Sequence, residues 1–466
     1  MSKPKTVGEL KDAGYNPKPI KQEIRDNLIN KLRTGEPLFP GIIGFKDTVI
    51  PQIENAVLSG QDLILLGKRG QAKTRLMRQF VLLLDNELPV LSGCEIRDNP
   101  FAPICPSCRK QLEETGLNTP IEWVHRDRRY TEKLATPDVT IADLIGEVDP
   151  IKVAEGRYLS DETALHFGLI PRSNRGIFAI NEIPDLAEKI QVGLFNILEE
   201  RDIQIRGFTV RLPMDVYLLA TANPEDYTNR GRIITPLKDR FGAQISTHYP
   251  LTLEKEIEIM EQERNRFPEE EKIIFPDFMK AIVAEISRQA RIHPEVDQTS
   301  GVSVRVGISN QESVIANTFR RYIKLKENYM VPRITDLAYI VASTTGKVEM
   351  EGFMSDREEN LLSDLVDKAV LEVFNHFFSD FDFSPFLTNF QNSNAVFVSE
   401  KIASDEYEMQ AQRLKGFDAI GSRVKASNTE LTASALEFVL EGLHLRGKLG
   451  KESVSGRLQY GATRSE

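Results

Sequence analysis

The stretch from Asp62 to Thr74 constrains the fold of this chain more than any other part of the sequence. A short apolar run ends at Leu66, and a loop with two glycines, Gly67 and Gly70, follows it. The pair Lys73-Thr74 comes next, and apolar residues then recur at the spacing of a helix. This order predicts a buried strand, a tight loop and a helix.

The loop of this unit has the composition of a phosphate-binding site. Glycines let backbone N–H groups converge on an anion, Lys73 would reach the β and γ phosphates of a nucleotide, and Thr74 would hold Mg²⁺. The usual pattern has glycine before the lysine, where this chain has Ala72, and alanine fits at modest cost if its φ is negative. An ordinary strand–turn–helix is the alternative. The residues predicted to contact the nucleotide here are Gly67, Gly70, Gln71, Ala72, Lys73 and Thr74.

The composition limits the classes of protein to which the chain can belong. Its 466 residues are enough for roughly three domains. A formal net charge of −10 argues against a dedicated nucleic-acid-binding protein, which more often carries a basic excess. Three cysteines do not make a disulfide scaffold, and no apolar run approaches the ~18 residues of a spanning helix. We therefore expect a soluble, cytoplasmic protein with no membrane segment.

Shifts in composition divide the chain into predicted segments. All three cysteines fall within residues 89–125, and residues from about 145 to 172 have the pattern of an inserted element. Strand patterns stop near residue 250, and amphipathic helices follow. The predicted segments are a polar N-terminal segment over 1–40, an αβ core over 41–250, a helical region over 251–345 and a mostly helical C-terminal extension over 346–466.

Two further apolar runs end in polar residues, as expected for buried strands of one sheet. They are Ile177 to Glu182 and Val216 to Thr221, with Asn223 two residues beyond. In a parallel α/β sheet the carboxyl ends of the strands face the phosphate site. Glu182 could there polarise water for attack on the γ-phosphate, and Asn181 stands where an aspartate normally orders Mg²⁺. A capping pair at a strand end and a turn asparagine before proline are the alternatives.

The cysteines and one histidine form a candidate metal site. Cys105 and Cys108 make a Cys-x-x-Cys pair, Cys94 precedes them and His125 follows. Such a set can supply a tetrahedral Zn²⁺ shell that fixes a loop and leaves no position open for catalysis. In a cytosolic chain a close cysteine pair is more often metal-binding than disulfide-bonded. Three reduced thiols, two of them in a proline-rich loop, are the alternative.

Taken in order and spacing, these motifs resemble those of AAA+ ATPases of the helix-2-insert group. Within that group the chain looks most like the ATPase subunit of magnesium chelatase and, next, the MoxR-type ATPases. The resemblance covers roughly residues 40 to 345 and extends loosely through Leu436 to His444. It implies an α/β P-loop NTPase core with a parallel sheet, a helical lid domain and a mostly helical C-terminal extension.

The resemblance also implies roles for particular residues of the core. Gly67 to Thr74 matches the Walker A motif, in which alanine before the lysine is common in this group. Ile177 to Glu182 matches Walker B, with asparagine at Asn181 where the family has aspartate. Asn223 matches sensor 1, and residues 145 to 172 match the position of the helix-2 insert.

Three further matches lie outside these motifs. Arg240 matches the arginine finger that is supplied to a neighbouring subunit, and Arg305 matches sensor 2 on the lid. Ile43 and Gly44 fall in the segment before the first core helix that touches the adenine. The resemblance thus implies ATP and Mg²⁺ as ligands and a site completed by a second subunit.

The function implied is that of a ring-forming ATPase, expected as a hexamer, that converts ATP and water to ADP and phosphate and remodels a partner protein. A partner with a von Willebrand-type domain, as in chelatase-like assemblies, is the family expectation. Because Asn181 lacks the aspartate charge, hydrolysis is expected to be slow. A scaffold that binds ATP with little hydrolysis is one alternative, and a DNA-associated motor or transcription activator is another.

Overall fold

The computed structural model describes residues 3–148, 165–204, 211–223, 231–298, 301–349, 355–391 and 395–463. The chain divides into two compact units, Met1–His248 and Tyr249–Glu466. None of the helices in the described ranges is long and apolar enough to cross a membrane.

The first unit contains both strands and helices. Its strands are β1 (Leu63–Leu66), β2 (Glu87–Leu91), β3 (Ile121–His125), β4 (Tyr130–Leu134), β5 (Gly146–Val148), β6 (Leu165–Phe167), β7 (Gly176–Asn181), β8 (Asp202–Gln204), β9 (Arg211–Pro213), β10 (Val216–Ala222) and β11 (Ala243–Ser246). Its helices are α1 (Val7–Asp12), α2 (Ile20–Thr34), α3 (Val49–Leu58), α4 (Lys73–Gln79), α5 (Pro106–Thr115), α6 (Ile141–Leu144), α7 (Glu188–Gly193), α8 (Phe195–Glu199) and α9 (Thr235–Arg240).

A parallel sheet lies at the centre of this unit. Among the described residues it has five strands in the order β11-β1-β10-β7-β4. In its register Leu66 of β1 pairs with Ala222 of β10 and Ser246 of β11, and Ala220 of β10 pairs with Ile180 of β7. The carboxyl ends of these strands therefore meet at one edge, which confirms the predicted α/β fold.

The central strands are apolar along their length because both faces of the sheet are covered. Ala179 and Leu219 point into one buried cluster, which includes residues of α2, α3 and α4. Ile180 and Ala220 point into a second cluster on the opposite face, with residues of α7 and α8. This burial on two sides explains why β7 and β10 lack the polar–apolar alternation of a half-exposed strand.

Buried charges join the N-terminal helices to the sheet. The fully buried guanidinium of Arg129, just before β4, donates to both carboxylate oxygens of Glu23 on α2 at 2.7 Å. The same guanidinium donates twice to the backbone carbonyl of Arg175, which precedes β7. Residues of the predicted polar N-terminal segment therefore pack into the core unit through a specific ion pair.

Two antiparallel hairpins border ranges that the structure leaves undescribed. The sequence from Ile203 to Leu212 has the pattern of a β-hairpin with Gly207 in its turn, and β8 pairs with β9 with Ile203 opposite Leu212. Gly207 itself lies outside the described residues. β5 pairs with β6 at the base of the predicted insert, and the interior of that insert, residues 149–164, lies outside the described ranges.

The second unit is mostly helical, as predicted. Its helices are α10 (Leu253–Glu263), α11 (Asp277–Ile292), α12 (Arg305–Leu325), α13 (Val341–Thr344), α14 (Ser355–Phe377), α15 (Ser384–Leu387), α16 (Ser404–Gln412), α17 (Phe417–Arg423) and α18 (Thr429–Leu445). Three short strands, β12 (Val396–Val398), β13 (Gly450–Val454) and β14 (Arg457–Gly461), form an antiparallel sheet in the order β12-β14-β13.

Phenylalanines from several elements fill the core of this unit. The Phe374 ring lies 5.0 Å from that of Phe378 and 5.6 Å from that of Phe438, measured between centroids. Helices α14 and α18 approach closely at Gly442, where an added Cβ would lie 2.2 Å from a carbon of the Phe374 ring. The close approach of the two helices therefore depends on glycine at that position.

Candidate functional site

The predicted phosphate loop connects β1 to α4, as the sequence indicates. Its first residue, Gly67, donates its backbone N–H to the carbonyl of Ala222 at 3.0 Å. A Cβ on Gly67 would lie 2.0 Å from Thr247 Oγ1 and 2.2 Å from Gln71 Oε1. Those two side chains also hydrogen-bond to each other at 2.9 Å. The loop is therefore packed tightly at its base, and only glycine fits there.

Ala72 has a positive φ, although alanine fits at modest cost only where φ is negative. Its φ of 54° and ψ of 14° lie in the left-handed region. The expectation of a negative φ is wrong, because the loop turns into α4 through this residue. An alanine in this region costs about 1–2 kcal/mol relative to a right-handed conformation.

Lys73 begins α4 and its side chain is buried. Its ammonium donates to the carbonyl oxygens of Gly67 and Lys68, the latter at 2.9 Å. The loop thus folds around its own cation, and the positive charge lies at the centre of the turn. An anion bound by the loop would compete with these two carbonyls for the ammonium.

A connected set of polar side chains joins the loop to the sheet edge. The Asn181 Oδ1 atom accepts a hydrogen bond from Thr74 Oγ1 at 3.2 Å and another from Thr221 Oγ1 at 2.6 Å. The Thr221 hydroxyl in turn accepts from the backbone N–H of Glu182 at 3.0 Å. The first residue of the predicted pair, Asn181, therefore contacts the predicted magnesium ligand Thr74 directly.

The backbone of Glu182 adopts an unusual conformation. It has φ of 57° and ψ of 52°, a left-handed conformation that is uncommon for a glutamate. This conformation ends β7 abruptly at the sheet edge. Strained backbone of this kind tends to occur at functional sites, and here it coincides with the residue predicted as general base.

Asn223 lies at the same edge of the sheet. It follows β10 directly and only 1% of its surface is exposed. Because Ala222 pairs with Leu66, Asn223 lies level with Gly67 at the start of the phosphate loop. The structure therefore brings together the phosphate loop, Asn181, Glu182 and Asn223, as the sequence predicts.

The predicted adenine segment lies beside β11, a neighbour of β1. Gly44 has φ of 85°, which lets the chain turn before α3. Thr48 Oγ1 lies 2.7 Å from His248 Nε2, and the Phe45 ring contacts the His248 ring edge-on at 5.0 Å. The half-buried Ile43 precedes this turn. These contacts hold residues 43–48 against the chain that leaves β11.

Arg240 is held at the end of α9 by contacts with α8. Its guanidinium donates to Glu199 Oε2 at 2.8 Å and to the carbonyl oxygen of Pro236 at 2.8 Å. The Phe195 ring lies against it, with its centroid 4.3 Å from the guanidinium carbon. The side chain is 28% exposed, so the arginine is oriented but still reachable from solvent.

Arg305 belongs to the second unit, where it begins α12. Its backbone N–H donates to Ser303 Oγ at 3.1 Å, and its side chain is exposed. Arg305 thus stands at the start of a helix of 21 residues, and its sensor role stays a prediction.

A second group of candidate ligands lies between β2 and β3. The three cysteines come together, but His125 does not join them: its side chain is 53% exposed and its Nδ1 lies 3.1 Å from Asp127 Oδ2. An aspartate takes the fourth place instead. The clustered residues, whose ligand atoms all lie within 4.8 Å of one another, are Cys94, Asp98, Cys105 and Cys108.

Thr221 and Asp98 are the residues that sequence reasoning missed. Thr221 occupies the penultimate position of a buried strand, and the register places it beside Asn181, since Ala220 pairs with Ile180. A polar residue near the end of an apolar run is the sequence feature that could have found it. Asp98 had no such feature, because acidic residues in loops are common.

Comparison with known proteins gives a family match for part of the core. The family model described as AAA domain (dynein-related subfamily) matches residues 121–241. This range includes Asn181, Glu182, Asn223 and Arg240, and the phosphate loop precedes it. The uncharacterized protein YeaC of Bacillus subtilis (strain 168) is 25% identical over 186 residues, which cover 36% of this chain. The match spans 55% of the length of that curated relative.

Solved structures with similar chains include the following two. One describes the complex between subunits BchI and BchD of magnesium chelatase, with 17% identity, a TM-score of 0.36, and coverage of 70% of this chain and 98% of that chain. NtrX from Brucella abortus has 14% identity, a TM-score of 0.39, and coverage of 74% and 66%. The family match shows that residues 121–241 are similar to the AAA domain of the dynein-related subfamily, and the five-stranded parallel sheet includes strands from this range.

Proposed function

We propose that this chain binds ATP with Mg²⁺ at the loop Gly67–Thr74 and hydrolyses it in a ring of identical subunits. The observation that carries the proposal is the hydrogen-bonded connection from Thr74 through Asn181 and Thr221 to the backbone of Glu182. It links the loop predicted to hold phosphate to the carboxylate predicted to activate water.

The side chains present fit a nucleotide and a magnesium ion. Thr74 and Asn181 offer two oxygen atoms 3.2 Å apart, and oxygen is the ligand type that Mg²⁺ prefers. Lys73 offers a buried ammonium at the centre of the loop. When bound, Mg²⁺ neutralises charge on the phosphate oxygens. The protein's part is to hold both ligands in a fixed position at the sheet edge.

Glu182 is the proposed general base. Its carboxylate would accept a proton from the attacking water, while Thr221 holds the backbone N–H of Glu182 in place. Asn223, level with Gly67 at the same edge, would orient the water or the phosphate through its side-chain amide. A positioned base of this kind contributes about 10²- to 10⁴-fold in rate.

Arg240 is proposed to act on the nucleotide of a neighbouring subunit, in a ring expected to be a hexamer. Its contacts with Glu199 and Phe195 orient the guanidinium while leaving part of it exposed. An arginine supplied in this way stabilises charge on the transferring phosphoryl group and contributes about 10³- to 10⁵-fold in rate. Arg305 is proposed as an arginine that senses the nucleotide, a role that the family resemblance implies.

The work driven by hydrolysis is proposed to be the remodelling or activation of a partner protein in the cytoplasm. The resemblance to magnesium chelatase and MoxR-type ATPases supports this class of function and suggests a partner with a von Willebrand-type domain. Recovery of such a partner with the Glu182→Gln variant, which would hold ATP without turnover, tests the suggestion. Capture of only unrelated proteins would count against it.

A nucleotide-gated scaffold is the second candidate, and the geometry of Asn181 favours it. The Asn181 amide oxygen carries no formal charge, and it already accepts hydrogen bonds from two hydroxyls. Weak magnesium binding would follow. In this case the ATP-bound ring would hold a partner with little hydrolysis.

Steady-state release of phosphate from ATP separates the two candidates. The wild type, Glu182→Gln and Asn181→Asp variants should be compared with and without Mg²⁺. An ATPase predicts magnesium-dependent turnover that falls by at least about 100-fold in Glu182→Gln. A wild type that binds ATP and shows no turnover, together with an active Asn181→Asp variant, would support the scaffold instead.

A further inference from the structure

The loop between β2 and β3 brings four metal-type ligands to one point. Cys94 lies three residues beyond β2, Asp98 follows it, and Cys105 and Cys108 lie at the start of α5. The three sulfurs and one carboxylate oxygen all lie within 4.8 Å of one another. In a tetrahedral zinc site with Zn–S distances of about 2.3 Å, the sulfurs are roughly 3.8 Å apart. The observed spacing is therefore close to that of a four-coordinate site.

Asp98 has an oxygen atom that the protein itself does not satisfy. Its side chain is completely buried, and its Oδ2 atom accepts a hydrogen bond from the Cys105 N–H at 2.9 Å. Its Oδ1 atom is buried without a hydrogen-bond partner among the described residues. A buried carboxylate oxygen of this kind is costly unless a cation or donor reaches it.

The sulfur atoms are arranged to carry negative charge. The N–H of Asp98 donates to Cys94 Sγ at 3.3 Å, and the N–H of Cys108 donates to Cys105 Sγ at 3.3 Å. Hydrogen bonds from backbone N–H groups favour the thiolate form in which cysteine binds a metal ion.

We propose that Cys94, Asp98, Cys105 and Cys108 bind one structural Zn²⁺ ion through three thiolates and one carboxylate. Four protein ligands leave no open position, as in structural rather than catalytic zinc sites. The exposed His125, which pairs with Asp127, is not a ligand. This assignment of the fourth ligand is independent of the proposed ATPase function.

The contacts of Arg175 give the site a structural role. Its Nη1 atom donates to the Pro89 carbonyl of β2 at 2.9 Å and lies 3.4 Å from the Asp98 carbonyl oxygen. Arg175 directly precedes β7, the strand that ends at Asn181, next to Glu182. A metal that fixes the loop around Asp98 would therefore also hold Arg175 in place at the start of the strand that leads to the proposed general base.

A redox-active dithiol is the competing assignment for the Cys-x-x-Cys pair. Reactive cysteines are usually solvent-accessible, whereas Cys105 and Cys108 are 5% and 3% exposed. A redox pair also leaves the buried Asp98 oxygen unexplained. Metal binding accounts for all four residues.

Zinc content of the full-length chain, purified without a histidine tag, tests the proposal. We expect one zinc per chain in the wild type by mass spectrometry of the metals. Asp98→Ala and Cys108→Ser should each retain less than a tenth of it. His125→Ala is the matched control and should retain all of it. Loss of zinc in His125→Ala together with full retention in Asp98→Ala would overturn the assignment.

Cobalt substitution of the wild type covers the case in which the variants fail to fold. Co²⁺ bound to three thiolates in a tetrahedral site should give intense visible bands and sulfur-to-cobalt charge transfer. Removal of zinc by a chelator should also lower the melting temperature of the wild type. Absence of both zinc and cobalt bands, with a mass two hydrogens lower from a Cys105–Cys108 disulfide, would overturn the proposal in favour of a redox pair.

Discussion

Asn181 is the residue whose chemistry should limit the rate of hydrolysis. It contacts Thr74 and Thr221 through an uncharged amide oxygen, although the resemblance implies a carboxylate there. We expect Asn181→Asp to raise kcat with Mg²⁺, because a carboxylate binds the ion more tightly at the same position. Phosphate release at saturating ATP is the measurement. Asn181→Ser is the control, since it keeps an oxygen without the charge, and a rate in Asn181→Asp no higher than wild type would contradict the expectation.

Ala72 offers a stability test of the loop conformation. Its φ of 54° favours glycine, so Ala72→Gly should raise the free energy of unfolding by up to about 1 kcal/mol. Urea unfolding measures the change. Ala187 is exposed and has φ of −54°, so Ala187→Gly should give no such gain. Equal effects at the two positions would argue against strain at Ala72.

For individual residues, the sequence predicts which residues form the site better than it predicts their conformation. Glu182 and Asn223 could be predicted because polar residues at the ends of buried strands must lie at one edge of a parallel sheet. The left-handed Ala72 and the contact between Asn181 and Thr221 depend on the loop and on strand register. Asp98 replaced His125 for a similar reason, because loop closure rather than spacing selects the fourth ligand.

The phosphate loop packs closely at Gly67, next to Thr247, which directly follows β11. An added Cβ at Gly67 would collide with Thr247 and Gln71. Gly67→Ala should therefore cost about 1–3 kcal/mol in stability and weaken nucleotide binding, as overpacked sites do. Thermal unfolding and titration with a fluorescent ATP analogue measure both effects. Gly193→Ala is the matched control, because its added Cβ would meet only ordinary contacts at 3.7 Å or more. Unchanged ATP affinity in Gly67→Ala would show that the loop tolerates a larger side chain at this position.

Helix α2 depends on one buried ion pair for its attachment to the core. Removal of one partner of such a pair typically costs about 3–5 kcal/mol. We therefore expect Glu23→Gln to be strongly destabilising, since Arg129 is fully buried and would lose its counter-ion. Asp26, on the same helix, pairs with Lys18 near the surface, and Asp26→Asn should cost less than about 1 kcal/mol. Similar losses in the two variants would show that the buried pair has no special role.

Regular elements were the easiest part of the fold to predict. The strands that end at Leu66, Asn181 and Ala222 follow from apolar runs that stop at glycine or polar residues. The separate antiparallel pair of β2 and β3 was not predicted, because Pro89 and the cysteine loop give no clear strand pattern. Long-range pairing of this kind is not encoded in local periodicity.

For the whole molecule, the proposed ring makes hydrolysis depend on subunit contact. Arg240→Ala should leave ATP affinity within about two-fold while turnover falls by 10³-fold or more, the range expected for an arginine finger. Binding is measured by equilibrium titration and turnover by phosphate release. Arg232, which lies three residues before α9 and pairs with Glu188 at the surface, provides the control variant Arg232→Ala. Equal loss of affinity and turnover in Arg240→Ala would place the arginine in its own subunit's site.

The most direct measurement mixes two inactive variants, Glu182→Gln and Arg240→Ala, and follows magnesium-dependent ATPase activity. Each variant alone should be inactive. If the site lies between subunits, a mixed ring contains interfaces with an intact Glu182 on one side and an intact Arg240 on the other. Co-assembled at equal amounts, the variants should regain roughly a quarter of wild-type activity, the share of complete interfaces in a randomly mixed ring. Mixed rings of confirmed composition that remain inactive would contradict the account.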